Sequence, residues 1–265
     1  MTATARRIAA PLALAATLLI GWELYVRLGG ISETFLPAPS TLAQRLWLEC
    51  TRGPMLRHTS VTLTEALYGT GIAVIIALPL GYLVGRVRWI RHTLTPYIAA
   101  SQAIPAVALA PLLALWIGYG LTPIAILCAI VAFFPMLVTT VLGIRAIPTD
   151  VLEAARLDGA NWAQTLRWVE GPLMLPSVLA GVRAGIALSV TGAVVGEFTM
   201  GGKGLGMLLT LFRDANDTAG LFATLIMLVA LALGLFTAVY LLEHLASRRG
   251  RGTPRRRASV PLLNP

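Results

Sequence analysis

Gly201-Gly202-Lys203-Gly204-Leu205-Gly206 has the glycines and the lysine of a phosphate cradle. Such a loop needs the pattern G-x-x-x-x-G-K-[ST], so that backbone N–H groups surround the phosphates and a hydroxyl reaches the metal. Here the first glycine is misplaced and Lys203 precedes Gly204 rather than Ser or Thr. The stretch is therefore read as a flexible outer loop. His58, His92 and His244 make no i, i+4 pair on a helix that would hold a metal. Cys50 and Cys128 have neither metal-ligand spacing nor the pattern of a disulfide framework. No Ser/His/Asp or Cys/His set survives, because its members fall on opposite sides of the membrane spans drawn below. The chain is expected to be no enzyme and to carry no cofactor and no metal.

The remaining chemistry lies in polar groups within apolar runs, where burial is costly. Arg183 lies inside one such run and Glu197 near its end. Roughly 21 Å of helix separates them, so they do not pair with each other. Arg183 either snorkels or pairs across a packed helix, with a place in a translocation path as the alternative. Glu197 is open between an outer-gate contact and solvation of a helix end. Gln102, Ser189 and Thr191 offer hydrogen bonds in apolar surroundings, which serve helix packing or a path. Gly181, Gly185 and Ser189 recur every fourth residue and give one helix a small face. Gln102, Arg183, Ser189, Thr191 and Glu197 are thus the candidate path residues.

The elements that position these groups follow from composition. The chain is 57% hydrophobic and 12% charged, where a soluble domain averages about 25% charged. Its surroundings are therefore mostly lipid. Six apolar segments are long enough for a spanning helix: 8–28, 64–85, 97–117, 121–143, 173–196 and 219–242. The expected fold is all-α and polytopic, with about six spans. Arg6-Arg7 followed by an apolar run has the look of a signal peptide, but without a small-residue cleavage site it is read as an uncleaved first span. Gly118-Tyr119-Gly120 predicts a tight hairpin between the third and fourth spans. Residues 41–49 predict a short amphipathic helix in the outer connection.

The net charge of +9 is read as cationic loops on one membrane face, and nucleic acid is excluded as a partner. Arg6, Arg7, Arg86, Arg88, Arg91, Arg145, Arg156 and Arg167 fall on one side, with the cluster Arg248–Arg257. Arg45, Arg52, Arg57, Lys203 and Arg213 oppose them. The excess places both termini in the cytoplasm. The basic tail, 246–265, is expected to be disordered and close to anionic lipid.

Between the fourth and fifth spans the composition turns polar. Asp150 with Glu153 suggests a capping box and a helix starting near Val151. Gly159 is a stop, since glycine accepts the left-handed conformation past a helix end. Asn161 with Gln164 suggests a second short helix with Trp162, Leu166 and Val169 on one face. Gly171-Pro172 is expected to break the chain before the fifth span. Such a knuckle either lies on the membrane or plugs into a partner.

Glu153-Ala154-Ala155, Gly159, Val169 and Pro172, with Pro176 beyond them, resemble the signature loop of permease subunits of binding-protein-dependent ABC importers. Gly171 departs from that pattern, which usually has Leu there. The resemblance covers most of residues 59–245. It implies residues 1–58 as an N-terminal span and outer connection, and 59–245 as the permease domain of a bacterial inner-membrane protein. It further implies a pair of ATPase subunits inside, a solute-binding protein outside and a permease homodimer. Glu153, Ala154, Ala155, Gly159, Trp162, Val169 and Pro172 would then contact the ATPase. Ile104-Pro105, Ala108-Leu109-Ala110-Pro111, Val195-Gly196-Glu197-Phe198 and Gly204-Leu205-Gly206 look like the nitrate, sulfonate and taurine branch. Gln102-Ala103-Ile104-Pro105 is most similar to permeases for riboflavin or the pyrimidine half of thiamine. A self-contained secondary carrier or channel is the alternative of another class, disfavoured because the chain lacks a central carboxylate pair.

Overall fold

A computed structural model describes residues 3–250. Most of the basic tail lies outside them. Every described element is a helix: α1 (Ala3–Leu28), α2 (Pro39–Thr51), α3 (Met55–Arg86), α4 (Arg88–Ser101), α5 (Ala106–Ile117), α6 (Leu121–Arg145), α7 (Thr149–Leu157), α8 (Trp162–Thr165), a π turn (Leu166–Glu170), α9 (Gly171–Met200), α10 (Leu205–Asp214) and α11 (Thr218–Gly250). α2 appears where the amphipathic pattern predicts it, opened by Pro39 and with Leu42 buried. α11 runs on into residues expected to belong to the tail.

The centre of the molecule is α3, α6 and α9. Small residues let their backbones approach: Ala66, Ala73, Ala77, Ala132 and Ala193 are all buried. A methyl group added at Gly69 would stand 2.7 Å from the Ala125 carbonyl oxygen. Gly81 faces Thr140 and Gly85 faces Ile144, so α3 and α6 run parallel. Gly196 faces Ile124 and Gly143 faces Ser177, so α9 runs against α6. The three helices give the bundle two ends. One carries Glu65, Leu121, Met200 and α2; the other carries Arg86, Arg145 and α7.

The third expected span is corrected. Residues 97–117 do not form one helix: α4 stops at Ser101 and α5 starts at Ala106. Pro105 has no N–H for the helix ladder and biases Ile104 toward extended backbone. Because α3 and α6 are parallel, the broken pair α4–α5 returns the chain from one end of the bundle to the other. Five helices among the described residues are long and apolar enough to cross a membrane singly. Gly118 and Gly120, with φ of 96° and 116°, make the expected tight turn into α6. The apolar stretches of α1 and α11 are each only 6% buried, so the bundle itself leaves their apolar sides bare.

Candidate functional site

The polar segment at the α7 end stands clear of the bundle, with no residue of α7 buried. Glu153, Ala154 and Gly159 are exposed, Leu157 is 89% exposed and Trp162 66%. The expected Asp150–Glu153 capping box is absent. Pro148 takes the N-cap position without a side-chain cap, and the helix begins at Thr149. Asp150 then lies in the first turn, where its charge suits the helix dipole. Gly159 is the expected stop, with φ 77°. Its N–H reaches the Arg156 carbonyl and that of Ala160 the Ala155 carbonyl, both at 3.0 Å, which is a Schellman end. The Asn161–Gln164 capping box is present in both directions at 2.9 Å.

Gly171-Pro172 does not break the chain, contrary to expectation. Helix continues from Trp162 to Met200 through the π turn. In that wider turn the Gly171 N–H bonds to the Leu166 carbonyl. Pro172 follows at once inside this continuous helix, where it has no N–H to give to the ladder. A Cβ at position 171 would stand 2.8 Å from the Leu166 oxygen. Glycine at position 171 thus leaves room for the π turn.

The π turn ends on Glu170, which is 1% exposed. Tyr82 Oη donates to its Oε2 at 2.6 Å. Arg86 Nη2 lies 3.2 Å from Oε1 as an ion pair. The Tyr82 ring also meets that of Trp162 edge-on, with centroids 6.4 Å apart. Val169 and Ala155 border a small hollow of about 350 Å³ beside Gly159.

At the opposite end Glu197, also 1% exposed, is met by three groups. Thr62 donates its hydroxyl to Oε1 at 2.7 Å, and the Gly206 N–H donates to Oε2. The Glu65 carboxyl of α3 stands beside it. Thr62 in turn accepts the Leu205 N–H at 2.8 Å, and His58 Nδ1 lies 3.1 Å from the Gly204 oxygen. The carboxylate therefore sits at the start of α10, where free N–H groups favour an anion. The glycine stretch expected to be a flexible outer loop is instead packed around it, with Gly202, Gly204, Leu205 and Gly206 buried.

The candidate path residues do not converge. Arg183 pairs with Glu243 of α11 at 3.0 Å, between the rings of Phe236 and Tyr240. Ser189 is fully buried and donates to the Ala66 carbonyl at 2.8 Å, and Gly181 and Gly185 receive α6. That small face therefore packs inside the chain. Thr191 is exposed. Gln102 borders a cavity of about 610 Å³, with Ile104, Leu109, Phe134 and Leu188, and no charged side chain lines it. The sequence reading missed Glu65, Tyr82, Glu170 and Glu243. For the three glutamates, an acidic residue at the edge of an apolar run was the available signal.

Residues 73–251 match the family model of the binding-protein-dependent transport system inner membrane component. The chain is 46% identical over 231 residues to the riboflavin transport system permease protein RibX of Chloroflexus aurantiacus, covering 87% of this chain and 86% of that one. It is 29% identical to the formylaminopyrimidine transport permease protein ThiX of Halalkalibacterium halodurans, over 86% of this chain and 90% of that one. An inward-facing structure of the MetNI methionine ABC transporter superposes with a TM-score of 0.64 at 21% identity, covering 71% of this chain and 94% of that one. At that identity the likeness is one of fold.

Proposed function

The chain belongs to the family of binding-protein-dependent transport system inner membrane components, and on that premise we propose how it works and what it carries. It is a permease subunit of an ABC importer. ATP is hydrolysed by a separate subunit, whose surface groove takes the exposed α7–α8 knuckle. The α7 end faces the cytoplasm, with both termini, as the arginine distribution supports. A solute-binding protein delivers its ligand at the opposite end. The bare apolar sides of α1 and α11 meet lipid, and a second copy of the chain completes the pathway. Closure of the ATPase pair displaces the knuckle, and the bundle re-aims as a rigid body.

The substrate is a vitamin or vitamin precursor of the riboflavin or thiamine-pyrimidine kind. The 46% identity to a riboflavin permease supports it. The uncharged cavity beside Gln102 also supports it, because an anion such as a sulfonate would lose its hydration there without a cation in exchange.

One observation carries the energy-coupling reading: a Schellman-ended helix with no buried residue projects from an otherwise apolar bundle. The test is riboflavin uptake in proteoliposomes holding the permease, its ATPase and its binding protein. Uptake requires internal ATP, and Gly159→Val, which forces a β-branched residue into positive φ, lowers it by about tenfold or more while the ATPase still hydrolyses. Uptake that ignores ATP, or survives Gly159→Val intact, contradicts the reading. Uptake of taurine in place of riboflavin overturns the substrate alone.

A further inference from the structure

The knuckle is covalently continuous with α9 through the π turn, but α3 has no such link to it. Among the described residues, the polar links between this segment and α3 are Tyr82 to Glu170 and Arg86 to Glu170. Both end on one buried carboxylate. A buried carboxylate keeps its partners firmly, because parting them leaves a charge unpaired away from water. The π turn sets the register that brings this carboxylate to α3, and Gly171 permits the turn. π turns inside helices occur frequently at functional sites. Trp162, the first residue of α8, adds its ring to the same tyrosine.

We propose that Glu170, Tyr82 and Arg86 form the joint through which movement of the α7–α8 knuckle is passed to α3. This rests on the reading of the knuckle as the ATPase contact. Without the joint, a displaced knuckle turns α9 directly and drags α3 only through apolar packing. With it, α3 and α9 move together. α3 is one helix of 32 residues, so force applied at Tyr82 reaches Glu65 some 26 Å away at about 1.5 Å per residue. Glu170 is thus a positioning residue, acting on transport through α3.

The test compares wild type with Glu170→Gln, Tyr82→Phe and Gly171→Leu in the complete transporter with its ATPase and binding protein. Co-purification of the ATPase, thermal stability, ATP hydrolysis and riboflavin uptake are measured together. Tyr82→Phe removes one hydroxyl and keeps the ring against Trp162, so it guards against a folding defect in the others. The expected result is an intact complex that hydrolyses ATP while substrate moved per ATP falls about tenfold in Glu170→Gln, less in Tyr82→Phe. Gly171→Leu gives the same uncoupling, because the π turn no longer fits. Unchanged transport per ATP in Glu170→Gln and Tyr82→Phe overturns the joint. So does loss of the ATPase from the Tyr82→Phe complex, which would make the triad a matter of assembly. If wild type itself neither binds the ATPase nor needs ATP, the reading of the knuckle fails instead.

Discussion

Two buried glutamates tie α3 to the α8–α9 rod, one at each end, and they are held in different ways. Glu197 meets a hydroxyl, a backbone N–H and a second carboxyl, inside a collar of buried glycines. Glu170 meets a phenol and a guanidinium, both on side chains, and Arg86 is 28% exposed. The Glu197 partners are all buried, and one of them is a backbone N–H that cannot change rotamer, so that end is held fixed. Both Glu170 partners are side chains, and Arg86 is partly exposed, so that link can swivel while it stays made. A bundle that tilts under the proposed coupling while staying assembled needs both kinds of end.

The comparison predicts unequal costs for the same truncation. Glu197→Ala strands a buried hydroxyl and N–H together and should lower stability by about 2–4 kcal/mol. Glu170→Ala should cost about 1–2 kcal/mol, because water can reach the partly exposed Arg86. Thermal unfolding of the purified permease in detergent checks the order. A larger loss at Glu170 would break the contrast between fixed end and joint. The smallest effect belongs to the knuckle, which is anchored to neither end by burial. Asn161→Ala removes one half of its capping box and should cost about 1 kcal/mol. Hydrogen exchange at the Gln164 N–H should speed up locally while α9 keeps its protection. Faster exchange along the whole of α9 would mean that the knuckle and the bundle are one cooperative unit.

Much of this was legible from residue types. Apolar run lengths placed the long helices, and Gly159 and Asn161–Gln164 placed the bend and the second cap. Pro105 was visible, but run length alone read through it, so one span came out whole that is broken. Pro148 took the cap from Asp150, a local competition that spacing does not weigh. The π turn was hidden because Pro172 ordinarily signals a break, and only the Leu166–Gly171 geometry shows how the helix passes it. Glu197 was noticed as a polar residue in an apolar run, but its partners come from Thr62, Glu65 and Gly206. Such long-range pairings have no trace in local pattern. Glu170 reads locally as one more solvated carboxylate of a polar segment, because its partners Tyr82 and Arg86 come from a distant helix.

The most direct test of the central claim is photo-crosslinking from Leu157, which is 89% exposed at the tip of the knuckle. A photoreactive amino acid placed there, in cells also making the ATPase subunit and the binding protein, should give an adduct with the ATPase. The same amino acid at Phe35, 82% exposed toward the other end, should give none. An adduct with the ATPase from Leu157 alone is the predicted result. No ATPase adduct from Leu157, or an equal one from Phe35, would contradict the claim that this knuckle receives the work of ATP hydrolysis.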